Sequence, residues 1–152
     1  MIRSKCFIYY ILIMLFLSGC NDSVFIDKLS VSANEIDFDG TEGEAQIEMS
    51  TKDWYVSMIT ITDGVHYKVL LYDSSGDYVG YVAYTRNWFS KIVLSTEGYE
   101  LNLFYKDQKS IVIKSGENKT TSPLTIRLLI ANDYETPINV FIHVKAGEKT
   151  NE

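Results

Sequence analysis

"LTIRLLIANDYETPINVFIHV", residues 124–144, decides the fold class. Leu124, Ile126, Leu128 and Ile130 recur every second residue, and Ile138, Val140, Ile142 and Val144 do the same after the polar segment "NDYETP". A period of two places each apolar set on one face of a half-buried strand, and the polar segment between them reads as the connection of a strand pair. Pro123 and Pro137 stand at the two strand entrances, where a missing N–H costs least.

The same alternation runs back along the chain. Tyr99, Leu101, Leu103 and Tyr105 form one face, followed by Ile111 and Ile113. Val65, Tyr67, Val69 and Leu71 form another, and "DSSGD" at 73–77 reads as a hairpin turn before "YVGYVAYT". Further upstream, Ile36 and Phe38 lead to an Asp39-Gly40 turn suited to positive φ. Ala45, Ile47 and Met49 follow, and then Trp54, Val56 and Met58. No window sustains a helical stripe, so the chain is expected to be all-β: nine or ten short strands in a two-sheet antiparallel, immunoglobulin-like sandwich over residues 29–146. Residues 147–152 read as a disordered tail.

The N-terminus explains both cysteines. Arg3 and Lys5 precede an apolar run, Phe7 to Leu17, that is too short for a bilayer needing about 20 residues and suits a secretory leader. Leu17-Ser18-Gly19-Cys20 resembles the lipobox of bacterial lipoproteins. The resemblance implies a signal peptide over 1–19 and a lipidated Cys20, with residues 20–28 as a tether. Multiple acyl chains on one cysteine make such anchoring stable. The stretch from Asn21 to Lys28 reaches at most about 29 Å at ~3.6 Å per residue, so the domain is expected to work close to its membrane. With Cys6 in the leader and Cys20 acylated, the sandwich has no disulfide and must be held by burial alone.

Charge narrows the partners. The chain carries a formal net charge of −6, and loss of Arg3 and Lys5 with the leader makes it more negative. Phosphate backbones call for the opposite sign, so a nucleic-acid partner is not expected. The expected address is the bacterial cell envelope, lipid-anchored in the outer membrane, on either its surface or its periplasmic face.

"LSVSANEIDFDGTEGEAQIEMSTKDWYVS", residues 29–57, resembles the opening of BACON domains, Bacteroidetes-associated sandwich modules in which an L-x-V-x-x-x-x-I-x-F strand leads through a Gly-containing turn to a D-W-x-V strand. Residues 111–145 are similar to the closing strands of that family. The chain departs from the pattern in Val144-Lys145-Ala146, where V-x-Q is usual, and in a longer middle at 59–110. The resemblance implies a carbohydrate-associated role and brings no fixed set of binding residues. Trp54, at the D-W-x-V position, reads as core. Asp22-Ser23-Val24 resembles the O-glycosylation site of exported Bacteroidetes proteins, which makes Ser23 a candidate for modification.

Candidate chemistry centres on the aromatic middle, which holds Tyr67, Tyr72, Tyr78, Tyr81, Tyr84, Trp88, Phe89, Tyr99 and Tyr105. Flat rings stack on the C–H faces of sugars at low entropic cost, while neighbouring polar groups bond the hydroxyls. If one strand runs unbroken, Tyr78, Tyr84, Arg86 and Trp88 share a face and form a glycan platform. The competing reading buries these rings as ordinary strand residues. The acidic "DFDGTEGE", residues 37–44, lacks calcium-loop spacing and reads as a plain hairpin. His66 and His143 are isolated, so no metal or other cofactor is expected. No nucleophile or metalloprotease motif occurs, and the chain reads as non-enzymatic. It is expected to be an accessory to glycan binding or to glycan-handling machinery, meeting polysaccharide or an envelope protein complex, with a structural or assembly lipoprotein that uses the sandwich as a protein-protein interaction module as the alternative.

Overall fold

A computed structural model describes residues 28–62, 65–80, 85–86 and 89–147, Thr85 and Arg86 by backbone alone. The leader, Cys20, Ser23, the tether up to residue 27 and the tail after 147 lie outside the described residues.

Eleven strands occur among the described residues: β1 (Glu35–Phe38), β2 (Gly43–Glu48), β3 (Tyr55–Ile61), β4 (Lys68–Asp73), β5 (Tyr78–Gly80), β6 (Thr85–Arg86), β7 (Phe89–Thr96), β8 (Tyr99–Asp107), β9 (Ser110–Ser115), β10 (Leu124–Ala131) and β11 (Ile138–Val144). They form a five-stranded sheet, β1-β11-β10-β3-β6, and a six-stranded sheet, β2-β9-β8-β7-β4-β5. Neighbours pair antiparallel except β1, which runs parallel to β11. The cores β3-β10-β11 and β2-β9-β8 reproduce the two sheets of an immunoglobulin-like sandwich. The long middle adds β4, β5 and β7 to the second sheet.

Alternation builds the core. Ile126, Leu128 and Ile130 of β10 and Val140, Ile142 and Val144 of β11 are buried against Leu71, Ile92, Leu103 and Ile113 of the six-stranded sheet, all in one cluster. Each fully buried Leu or Ile contributes about 1.5–3 kcal/mol, which lets burial replace a disulfide here. Trp54 is 1% exposed, and its indole N–H donates to the Gln108 carbonyl at 2.9 Å. Gly40 turns the chain at φ 98°, as the Asp39-Gly40 pair predicts.

The structure corrects one alternation. Ile130 pairs with Val56 but Leu129 pairs with Met58, so Ser57 is an extra residue in β3. Its hydroxyl donates to the Leu129 carbonyl at 3.1 Å. A bulge of this kind shifts the pleat by one residue, turning Met58 outward and Ile59 and Ile61 inward.

Candidate functional site on the six-stranded sheet

The aromatic middle divides between the two sides of the sheet. Phe89 and Tyr99 are buried, and Tyr105 is half-buried, stacking on Trp54 with centroids 5.7 Å apart and meeting Phe89 edge-on at 5.8 Å. Burial and the nearby Asp107 charge push the Tyr105 phenol above its ordinary value. These rings are core. Tyr67, Tyr72 and Tyr78 stand outside or at the boundary, and Tyr81, Tyr84 and Trp88 lie outside the described residues.

The unbroken strand expected to carry the platform does not occur: of its four residues, Tyr78 and Arg86 lie in strands of different sheets, and Tyr84 and Trp88 lie outside the described residues. Tyr78 belongs to β5 of the six-stranded sheet, whereas Arg86 belongs to β6, which pairs with β3 in the other sheet. The chain changes sheets between Gly80 and Thr85, so alternation counted from Tyr78 does not carry to Arg86. Tyr78 itself is 52% exposed.

A different row takes its place. On the outer face of the six-stranded sheet, Tyr78 pairs with Tyr72, Tyr72 with Lys91, Lys91 with Phe104, Phe104 with Val112, and Val112 with Gln46. The alternation that buries Leu71, Ile92, Leu103 and Ile113 turns Tyr72, Lys91, Phe104 and Val112 outward. Tyr72 and Tyr78 meet edge to face at 6.1 Å. The Lys91 ammonium lies 5.9 Å from the Tyr72 centroid and 5.5 Å from that of Phe104. Lys114, one row away, reaches Phe104 at 5.7 Å and pairs with Glu44 at 3.1 Å. Lys106 donates to Gln46 Oε1 at 2.6 Å.

Three register shifts lie at this end of the sheet. Val79 is extra between β5 and β4, Ser90 between β7 and β4, and Lys106 between β8 and β9. Bulges re-aim side chains, and the one at Val79 brings Tyr78 back beside Tyr72 on the same face. Ser90 anchors its bulge by donating to the Asp73 carbonyl. The turn between β4 and β5 is fixed by Asp73, whose carboxylate accepts from the N–H groups of Ser75 at 2.8 Å and Asp77 at 3.0 Å.

Phe104 and Lys91 are the residues that sequence reasoning passed over. The signal was present: once Leu103 and Tyr105 point inward, Phe104 must point out. Asn102, on the same face, donates to Glu100 Oε1 at 2.7 Å, while its own Oδ1 is buried with no donor among the described residues. An orphan acceptor of this kind is uncommon in a folded protein.

The remaining candidates give no second site. Among the described residues no group of three His, Cys, Asp or Glu side chains gathers to hold a metal ion. Asn118, which begins an Asn-Lys-Thr triplet, is fully buried, and its amide is consumed by bonds to Ser122, Lys145 and Thr120. It is a structural pin.

No protein-family model and no curated protein matches the chain. Among solved structures, it is similar to an NMR structure of a protein from Bacteroides thetaiotaomicron, at 9% identity and a TM-score of 0.48, covering 81% of this chain and 91% of that one. It is also similar to a Bacteroides ovatus GH5 xyloglucanase in complex with a XXXG heptasaccharide, at 11% identity and a TM-score of 0.42, covering 78% of this chain and 19% of that one. Neither likeness is close enough to carry a function to this chain.

Proposed function

We propose that this chain is a non-enzymatic, lipid-anchored protein of the bacterial outer membrane whose BACON-like sandwich binds glycan on the outer face of its six-stranded sheet. The observation that supports this reading is the cross-strand row Tyr78, Tyr72, Lys91 and Phe104, an aromatic strip with polar flanks on an exposed sheet face. Apolar ring surface receives the C–H face of a sugar, and Gln46 and the lysines bond its hydroxyls. Anchoring through Cys20 holds it near the membrane, and Ser23 is the proposed O-glycosylation position.

Affinity electrophoresis of the full-length protein through gels containing plant, host and bacterial polysaccharides tests the reading. Retardation by at least one polysaccharide, lost in Tyr72→Ala and Tyr78→Ala, is the expected result. Migration unchanged in every gel removes the glycan role. Cys20→Ala is expected to move the protein out of the membrane fraction.

A second reading, an assembly protein docking a partner, has its own surface. Met58 is 39% exposed on the outer face of the five-stranded sheet, where Leu129 is its register partner. On that face Phe141 stacks on His143 at 6.4 Å, and Arg127 donates to Asn139 at 2.6 Å. Exposed Met, aromatic and Arg side chains are enriched in protein interfaces. A stoichiometric co-purifying partner lost in Met58→Asp would favour it.

A further inference from the structure

The row described above differs from a plain aromatic strip in having a cation at its centre. Lys91 stands between Tyr72 and Phe104 in the ladder, half-buried, with its ammonium within 6 Å of both ring centroids. Strands about 4.8 Å apart put the two rings about 10 Å from each other, with the charge midway. Lys91 has no carboxylate partner among the described residues. Lys114 shares the Phe104 ring but is offset by Glu44, and Lys106 is held by the uncharged Gln46. In a chain of net charge −6, two ammonium groups, those of Lys91 and Lys114, lie against the half-buried Phe104 ring.

We infer that the ligand of this face is an acidic glycan whose anionic group pairs with Lys91. The inference rests on the glycan-binding reading and narrows it. A free lysine loses much side-chain entropy when it pairs, whereas a stem packed between two rings is already ordered, so more of the charge attraction is retained. Sugar carbons lie over Tyr72, Tyr78 and Val112, and a carboxylate or sulfate at the ring periphery meets the ammonium. The two anions share this chemistry, and suitable probes separate them.

Full-length protein in detergent is titrated calorimetrically with polygalacturonate, its methyl ester and chondroitin sulfate at low salt. Methyl esterification removes the charge and keeps the ring. The acid form is expected to bind about fivefold more tightly than the ester, the factor that about 1 kcal/mol of exposed charge pairing supplies. The difference closes in Lys91→Met, which keeps the stem between the rings, and shrinks with salt. Lys91→Gln with an unchanged melting midpoint guards against a folding effect. Lys91-dependent binding of chondroitin sulfate alone supports the inference, and its loss when the polymer is chemically desulfated, which leaves the glucuronate carboxylates in place, assigns the anion to sulfate. Equal binding of acid and ester, unaltered in Lys91→Met, overturns the acidic ligand and leaves the glycan reading standing. Binding of none of the three overturns the inference. The glycan reading falls with it only if the gels of neutral polysaccharides also show no Tyr72-dependent retardation.

Discussion

The Asn118 side chain donates to the Lys145 carbonyl at 2.9 Å, fastening the loop after β9 to the end of β11 across 27 residues of sequence. The same amide donates to the Ser122 carbonyl at 3.0 Å, and its oxygen accepts from the Thr120 N–H and hydroxyl. Removing a fully buried amide takes this partner from the Lys145 carbonyl and the Thr120 N–H, while the Thr120 hydroxyl and the Ser122 carbonyl keep their bond to each other at 2.9 Å. Asn118→Ala is expected to cost about 2–4 kcal/mol, read from the urea midpoint at constant m-value. Asn118→Asp turns a carboxylate toward two carbonyls and should destabilise further at neutral pH.

Gly40 and Gly76 both have positive φ, 98° and 84°, yet they should respond differently to alanine. A Cβ on Gly40 would lie 2.8 Å from the Ala146 carbonyl oxygen and 2.9 Å from that of Lys145, whereas one on Gly76 meets nothing within 4 Å. Gly76→Ala carries only the left-handed backbone penalty, about 1 kcal/mol. Gly40→Ala adds a collision with backbone and should lower the thermal midpoint clearly more.

Burial pushes the Tyr99 phenol up to about 12 from its ordinary 10, against the opposing effect of the Ser115 hydroxyl 2.9 Å away. The folded state therefore keeps this proton after the unfolded chain has lost it. Stability from this group is full below pH 10 and declines as pH rises toward 12. The loss approaches about 3 kcal/mol. Urea melts between pH 9 and about 12 should show that decline in the wild type and a flatter curve in Tyr99→Phe.

The Ser57 bulge makes neighbouring residues unequal. Ile59→Ala removes a buried side chain and is expected to cost about 2–4 kcal/mol, while Met58→Ala on the outer face should stay within about 0.5 kcal/mol. Comparable losses at both positions would contradict the register.

Alternation made most of the core legible, because a strand buried on one face writes its environment every second residue. Leu124 to Ile130 and Ile138 to Val144 are read without error in this way. What alternation cannot see is an inserted residue or a change of sheet. Ser57 shifts the pleat in β3, and the passage from β5 to β6 separates Tyr78 from Arg86, though both stretches remain apolar and aromatic in sequence. The row on the candidate site was hidden for a related reason. Its members come from separate strands, and only pairing registers set by bulges at Val79 and Ser90 bring them into line.

The parallel pairing of β1 with β11 also gives the molecule a mechanical character. Leu29 is held by Glu135 at one pole, and the Gly147 N–H donates to the Thr120 carbonyl at the other, so the described ends leave in opposite directions. Tension between those ends runs along the ladder from Glu35–Phe141 to Phe38–Val144, and through the flanking bonds from Phe141 to Asn34 and from Lys145 to Phe38. Those bonds lie across the load and share it in shear, where a hairpin would surrender them one at a time. Pulled by those two ends, the sandwich would thus resist as a clamp before it opened as a zipper.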